Sequence, residues 1–414
     1  MSERSTAFGA PAPFTRLNRR AVLASGLAVG LAGCSYSRSV SAPAPAPNKA
    51  YGFGDLKPLD LSVGNLTKIT VCTRPFRPAG PRLESETVGA KTLVHNYGHG
   101  GSGWSLAWGY AEAVRNKIAP ARPKTVSVLG AGAMGLTTAI ALAETGTKVT
   151  IVAREMPVDT RSARATGVWS PSSRIGLAGA VDPRFTAQWQ ALTRRSYARH
   201  LTYVGRVGDP VEFTPRFYVR TTAPFPPITP RPEGAADFLE LGRTVRGLTP
   251  PWSEREKTPF PAPNGVRGGL VMTFNIAEYT RQLVEDFLAM GGRFELGELT
   301  SKQELADLPG EAIVNCAGYG AKALLGDASL IPVRGQIAWM APQLDRLYGV
   351  YHAGVSVISR RDGLLIQETG GNDYYGLGIE DETPDRDEFL AAQAKVAPLF
   401  NWATEGSRII PFTP

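Results

Sequence analysis

The residues whose types and spacing could do chemistry lie in two glycine-rich stretches. In "VLGAGAMGL" (128–136), Gly130, Gly132 and Gly135 follow a G-x-G-x-x-G pattern, with Ala131, Ala133 and Met134 between them. The first glycine permits a sharp turn, the second lets backbone approach a pyrophosphate, and the third lets a helix pack closely on a strand. Unpaired N–H groups at the start of the following helix would face the phosphates. Glu155, next to Arg154, follows Gly135 by 20 residues, where an acid accepts hydrogen bonds from a ribose. The second stretch, "HNYGHGGSGWSLAWG" (95–109), holds five glycines and two histidines ahead of that motif. His95 and His99 have the right type for bases, but in so tight a loop their rings are expected to serve structure.

The elements around the first stretch read as strand, tight turn, helix and strand over 124–155, with Gly146 at the helix C-terminus and "KVTIV" as the second strand. Together they predict a dinucleotide site; the motif alone leaves FAD and NAD(P) open. Ala312–Asn315, buried by pattern, is a further strand ending in Cys316, which reads as a small core residue rather than a redox thiol. Residues 210–264 are proline-dense and predict long surface excursions. "NIAEYTRQLVEDFLAMGG" (275–292) predicts an amphipathic helix with an Asn275/Glu278 capping box and Ile276, Tyr279, Leu283, Phe287 and Met290 on one face.

The 414 residues suffice for two or three domains. Net charge is +8, and four arginines and one glutamate in the first 33 residues leave +5 for the remainder, too mild and scattered for a nucleic-acid partner. Cys34, Cys72 and Cys316 cannot build a disulfide framework, and with four histidines no metal-ligand cluster is expected. The N-terminus carries Arg19-Arg20, an apolar run from Ala21 to Gly33, and Cys34. The run is too short to span a bilayer and reads as an export signal of twin-arginine type. Leu31-Ala32-Gly33-Cys34 looks like a lipoprotein box, so the expectation is an exported, periplasmic protein that touches the membrane only through a lipidated Cys34. "SAPAPAPNKA" (41–50) reads as a tether.

Four stretches together resemble the D-amino-acid oxidases, FAD enzymes with a glutathione-reductase-like FAD domain and a mixed-sheet substrate domain. They are "VLGAGAMGL" (128–136), "ATGVWSP" (165–171), "VNCAGYGAKAL…PVRGQI" (314–337) and "TRPFRPAGPRLESE…LVHNYGHGGSGWSLAWG" (73–109). The order differs: in that family the last of these closes the chain, and here it comes first. "EGSRIIPFTP" at the end resembles the stretch just before the family's Arg-Pro strand. The expected fold is therefore α/β, a Rossmann-like FAD-binding domain interleaved with a mixed-sheet α+β substrate domain, in circularly permuted order. Expected boundaries are a signal over 1–34, a linker over 35–50, and the permuted C-terminal part of the oxidase fold over 51–123. The FAD-binding Rossmann unit would span 124–190. Substrate-domain segments would span 191–265 and 336–414, with an FAD-domain segment over 266–335 between them.

The resemblance implies FAD as cofactor and a D-amino acid as substrate, with dioxygen or a quinone as electron acceptor. It implies that Arg74 clamps the substrate carboxylate, with Arg77 close enough to be confused with it. Gly100, Gly101, Gly103, Trp104 and Ser105 would meet the flavin pyrimidine edge, the glycines offering N–H groups. Thr166, Gly167 and Val168 would pass along flavin N5, and Val314 would line the adenosine side. Tyr351 falls near the first of the family's two lid tyrosines, whereas Ser356 or a neighbour replaces the second. Tyr348 and Tyr351 read equally as edge-strand aromatics. The alternatives are a dehydrogenase of glycine- or sarcosine-like amines passing electrons to a quinone, and a non-catalytic flavin-binding protein.

Overall fold

The computed structural model describes residues 56–222, 225, 227–256 and 258–402, and the backbone of Thr15–Arg16. Arg19-Arg20, Cys34, the 41–50 tether and "EGSRIIPFTP" lie outside the described residues.

The first sheet has seven strands in the order β1 (Thr15–Arg16), β10 (Arg293–Leu296), β6 (Lys148–Ala153), β5 (Thr125–Leu129), β11 (Ala312–Asn315), β4 (Lys91–His95) and β3 (Ser85–Val88). The central five run parallel, and β1 and β3 are antiparallel edges. Strands of a parallel sheet are covered on both faces and read as near-continuous apolar runs; β11 is buried along its whole length. One face packs against α1 (Gly103–Ile118), α2 (Ala133–Ala143) and α4 (Ile276–Ala289). Trp108, Leu136, Ile140, Leu283 and Phe287 there meet Val126, Val128, Ile151 and Val314. Leu305, Leu308 and Leu324 cover the other face over Leu93, Leu129, Val152 and Ile313.

The second sheet has eight strands in the order β2 (Leu66–Phe76), β12 (Ile331–Met340), β15 (Gly363–Glu368), β14 (Val355–Arg360), β13 (Gly349–His352), β7 (Val211–Val219), β9 (Val266–Phe274) and β8 (Ser253–Arg255). It is mixed, since β13 and β7 run parallel and the other pairs antiparallel. Val350, Val357, Ile366 and Met340 face the helix α7 (Arg386–Val396). Ile337, Trp339, Ile358 and Leu365 form the opposite face, on which Val168 packs.

Both glycine stretches leave the first sheet at one edge. Asn315, the last residue of β11, stands in register with Leu129 on one side and His95 on the other. The carboxyl ends of parallel strands are where such sheets bind ligands. The early 95–109 stretch thus reaches the turn after β5 through the sheet, although the chain separates them.

Three local expectations are corrected. The Asn275/Glu278 capping box does not form, because the Asn275 amide donates to the Asp209 carbonyl and to Glu212 while Glu278 pairs with Arg281. Met290 at the end of α4 is exposed rather than on the packed face. Within the proline-dense region, β7 is a nine-residue strand rather than a surface excursion. Pro215 is tolerated there because the parallel partner β13 begins pairing only at Arg216, so no ladder N–H is missed on that side.

Candidate active site

A cavity of about 880 Å³ opens at the carboxyl ends of β5, β11 and β6. That volume lies toward the large end of ligand sites, which suits a dinucleotide. The turn after β5 forms its floor, and the three glycines have distinct reasons. Gly130 adopts φ +100°, and a Cβ there would lie 2.5 Å from the Cys316 carbonyl oxygen. Gly132 caps α2 in an extended conformation, and a Cβ would crowd the Ser162 hydroxyl at 2.7 Å. Gly135 does not face the cavity: its Cβ would lie 1.8 Å from the Gly130 carbonyl oxygen, so it sets the approach of helix to turn. Ala131, Ala133 and Met134 line the cavity, and the Ala133 N–H donates to Ser162 Oγ at 3.0 Å. At the end of β6, Glu155 and Arg154 also line it, and Arg154 bridges Glu155 and Glu298 at 3.2 Å each.

The second glycine stretch forms the facing wall, but its N–H groups do not do what was expected. Gly100 N–H donates to the Pro75 carbonyl (2.7 Å) and Gly101 N–H to that of Ser173 (3.0 Å). Both glycines are required by the close approach of 173–174, because added Cβ atoms would lie 2.1 Å from Arg174 O and 2.4 Å from Ser173 Oγ. The donors that end at the cavity are instead the orphan N–H groups of the first turn of α1, beginning at Gly103. Trp104 lines the cavity with its indole N–H donating to the Ser162 carbonyl (2.9 Å). Ser105 lies behind the wall, its hydroxyl accepting from the Ser170 N–H.

Thr166 lines the cavity, whereas Gly167 and Val168 lie behind it. Gly167 (φ +70°) accepts from the Phe274 N–H and leaves no room for a Cβ beside Arg360; Val168 bridges to Thr273 of β9. Val314 is wholly buried within β11. Tyr351 does not line the cavity. The 346–363 region forms the β13–β14 hairpin, in which the Tyr351 ring stacks on Tyr218 and its hydroxyl faces Thr369 at 3.4 Å. Tyr348 is buried against α7's core and donates to the Lys57 carbonyl.

Arg74 and Arg77, inseparable by spacing, are separated by their partners. Arg77 is committed to Ser329 (2.8 Å), the Gly80 carbonyl (3.0 Å) and Asp327 (3.8 Å). Arg74 lines the cavity, lies over Gly335 of β12, and makes no side-chain hydrogen bond or ion pair with a described residue. The half-buried guanidinium is thus the cation left for an anionic ligand. Nearby Arg174 is buried and tied to Asp373; burial, partly offset by Asp373, lowers its guanidinium to about 10.

Residues the spacing did not single out complete the site. Arg161, Ser162, Arg164 and Lys322 line the cavity. Glu382 clasps β2 to this segment by accepting from the Thr73 N–H (2.8 Å) and Arg161 (2.6 Å). Burial works to raise the Glu382 carboxyl, but these hydrogen bonds outweigh it and hold it below its ordinary value. "RSAR" directly before "ATGVWSP" was the available signal for the two arginines.

His95 and His200 are held by hydrogen bonds, whereas buried His99 lines the cavity and its Nε2 has no hydrogen-bond partner among the described residues. His200 joins Tyr279 (2.8 Å) and the Trp104 carbonyl (3.0 Å), His99 packs edge-on to Tyr110, and His95 pairs with Glu86. Burial holds both His99 and His200 at about 3. An unfolded imidazole protonates near 6.5, so these two rings add stability above that pH and lose it as pH falls toward 3. Unfolding free energy should be level from pH 8 to 7, then fall by up to about 1.4 kcal/mol per pH unit per histidine below about pH 6. Urea titrations at pH 7, 6 and 5 check this; equal midpoints at all three would mean that water reaches both rings. Cys316, buried and pushed up to about 12, is no thiolate nucleophile.

Residues 125–408 match the family model DAO, FAD dependent oxidoreductase. A D-amino-acid oxidase of Rubrobacter xylanophilus is 34% identical over 57% of this chain and 66% of its own length, and so is spanned only in part. One of Dictyostelium discoideum is 25% identical over 66% of this chain and 73% of its own. The structure of glycine oxidase from Geobacillus kaustophilus aligns with a TM-score of 0.46 at 15% identity, covering 67% of this chain and 78% of that one. FAD fits the residues present: turn glycines that Cβ atoms would fill, two helix N-termini and Glu155 at the end of β6. The chain belongs to the DAO family of FAD-dependent oxidoreductases.

Proposed function

We propose that the protein oxidatively deaminates D-amino acids to 2-oxo acids and ammonia, with dioxygen reduced to hydrogen peroxide. The observation that carries this reading is the Arg74 guanidinium on the cavity wall, unpaired among the described residues. A guanidinium fork holds a carboxylate by two parallel charge-assisted bonds, which fixes orientation as well as affinity. When bound, FAD supplies the two-electron acceptor for the Cα–H bond. The chain's own part is to clamp the substrate carboxylate at Arg74 and to present α1's N-terminus to negative charge developing in the cavity. No side-chain base is needed at Cα if hydride leaves directly; His95 pairs with Glu86, and His99, which lines the cavity, is lowered to about 3 by burial. The D configuration is taken from the relatives' activity. A permuted chain order is supported by the way residues 66–118 supply strands to both sheets.

Anaerobic mixing with a D-amino acid is expected to bleach the visible absorption of the purified yellow protein. Bleaching by no member of a broad panel of D-amino acids would leave the flavin-binding alternative. Bleaching by glycine or sarcosine alone, with slow recovery in air and fast recovery on adding a quinone, would favour the dehydrogenase. The export reading is a separate proposal: mass spectrometry of protein extracted from membranes is expected to find Cys34 diacylglyceryl-modified, and an unmodified Cys34 would reject the lipid anchor.

A further inference from the structure

Residues 379–382 leave the second sheet and return to it at once. The Gly378 N–H donates to the Pro332 carbonyl of β12 (2.8 Å), and the Thr383 carbonyl accepts from Arg334 of the same strand (3.2 Å). The loop's two feet therefore stand side by side on β12. Between them, residues 380–382 make no backbone–backbone hydrogen bond with a described residue, and Glu380 and Asp381 are exposed. Two carboxylates hold the loop instead. Glu380 Oε1 accepts from the Tyr319 hydroxyl (2.9 Å), and Lys322 Nζ donates to that hydroxyl (2.9 Å) while lying 3.9 Å from Glu380 Oε2. Glu382 reaches the other way, to Arg161 (2.6 Å), Arg164 (3.7 Å) and the Thr73 N–H of the edge strand β2 (2.8 Å).

These anchors stand on opposite flanks of the turn at 130–133. A Gly130 Cβ would lie 2.5 Å from the Cys316 carbonyl oxygen, so the chain from Cys316 to Lys322 bounds one flank. Ser162 Oγ accepts from the Ala133 N–H (3.0 Å), so residues 161–164 bound the other. Tyr319, Lys322, Glu380, Arg161 and Arg164 all line the cavity. Glycine turn, two walls and loop thus close a ring, and the turn at a helix N-terminus is where a dinucleotide rests its pyrophosphate.

We propose that residues 379–382 are a strap, latched at Glu380 and Glu382, that has to open for FAD to enter or leave the cavity. FAD held by its pyrophosphate at the turn lies between turn and strap. Lys322, Arg161 and Arg164 neutralise the strap's carboxylates, so they do not repel the phosphates. Gly378, with φ +82° and open space at its Cβ position, lets the first foot swing. The inference rests on FAD binding and not on the proposed oxidation.

A latch governs the rate of exchange in both directions, whereas a residue that merely supports bound FAD governs affinity. Release should be measured from holoenzyme by exchange against excess labelled FAD, and the dissociation constant by flavin fluorescence at equilibrium. The double variant Glu380→Gln/Glu382→Gln is expected to exchange FAD about 10-fold faster, with the dissociation constant changed by less than about threefold. Tenfold corresponds to about 1.4 kcal/mol, a strength that two partly exposed charge pairs can supply. Unchanged exchange would overturn the proposal. So would exchange that quickens only in proportion to a weakened affinity, because loading is then no faster. Should the double variant not fold, Tyr319→Phe removes the donor to Glu380 alone and is expected to act in the same direction, with the same two outcomes against it. Faster exchange in a protein that oxidises no amino acid keeps the strap and rejects the oxidase; unaltered exchange in an active oxidase rejects the strap alone.

Discussion

Arg74→Ala is expected to raise the apparent KM for a D-amino acid at least 100-fold while FAD stays bound at full stoichiometry. The guanidinium lies at the cavity wall with no partner among the described residues, so its hydrogen-bonding capacity is unspent before substrate arrives. Removing one side of a desolvated charge pair costs about 2–5 kcal/mol, and every 1.4 kcal/mol is tenfold in affinity. Arg74→Lys keeps the charge but not the fork, and should fall between wild type and alanine. FAD is not affected because its cradle comes from other segments, the turn at 130–135 and α1. The readout is a pair of numbers, KM from steady-state kinetics and the flavin-to-protein absorbance ratio. An unchanged KM would place the carboxylate clamp elsewhere, and not at Arg77, whose donors are already committed.

Gly135→Ala is expected to weaken FAD binding at least tenfold and to lower Tm, although Gly135 does not touch the cavity. The added Cβ would lie 1.8 Å from the Gly130 carbonyl oxygen, far inside contact distance. Backbone must give way, and the backbone in question is the turn that carries Gly130 to Gly132. Overpacking of this kind costs about 1–3 kcal/mol. Gly146→Ala is the control. Gly146 has φ +82° but open space at its Cβ position, so it should lose about 1–2 kcal/mol of stability through backbone strain and leave FAD affinity unchanged. Apoprotein titration with FAD separates the two variants; equal affinities would mean that helix α2 can shift without disturbing the turn.

The strand–turn–helix–strand around the FAD turn was legible because it is short-range. A buried run, three glycines at fixed offsets and an acid 20 residues on belong to about thirty consecutive residues. The helix over 276–289 was legible by its period, yet its cap was not. Asn275 is claimed by Asp209, Glu212 and Arg361, which no local pattern connects to it. The glycines of 98–103 illustrate the same limit. Their number pointed to N–H groups facing a ligand, whereas Gly100 and Gly101 are small because residues 173–174 press against them.

By itself the sequence determined the dinucleotide turn, the family resemblance and the pair of candidate arginines, since each depends on neighbours within one segment. Only the tertiary structure decided that Arg77 is committed while Arg74 has no partner among the described residues, because Asp327 and Ser329 come from 250 residues away. It likewise moved Tyr351 off the cavity wall into a hairpin and brought Glu382 to Arg161 and the Thr73 N–H. Which donors remain unspent depends on which distant strands become neighbours, and that is fixed by sheet pairing rather than by spacing along the chain.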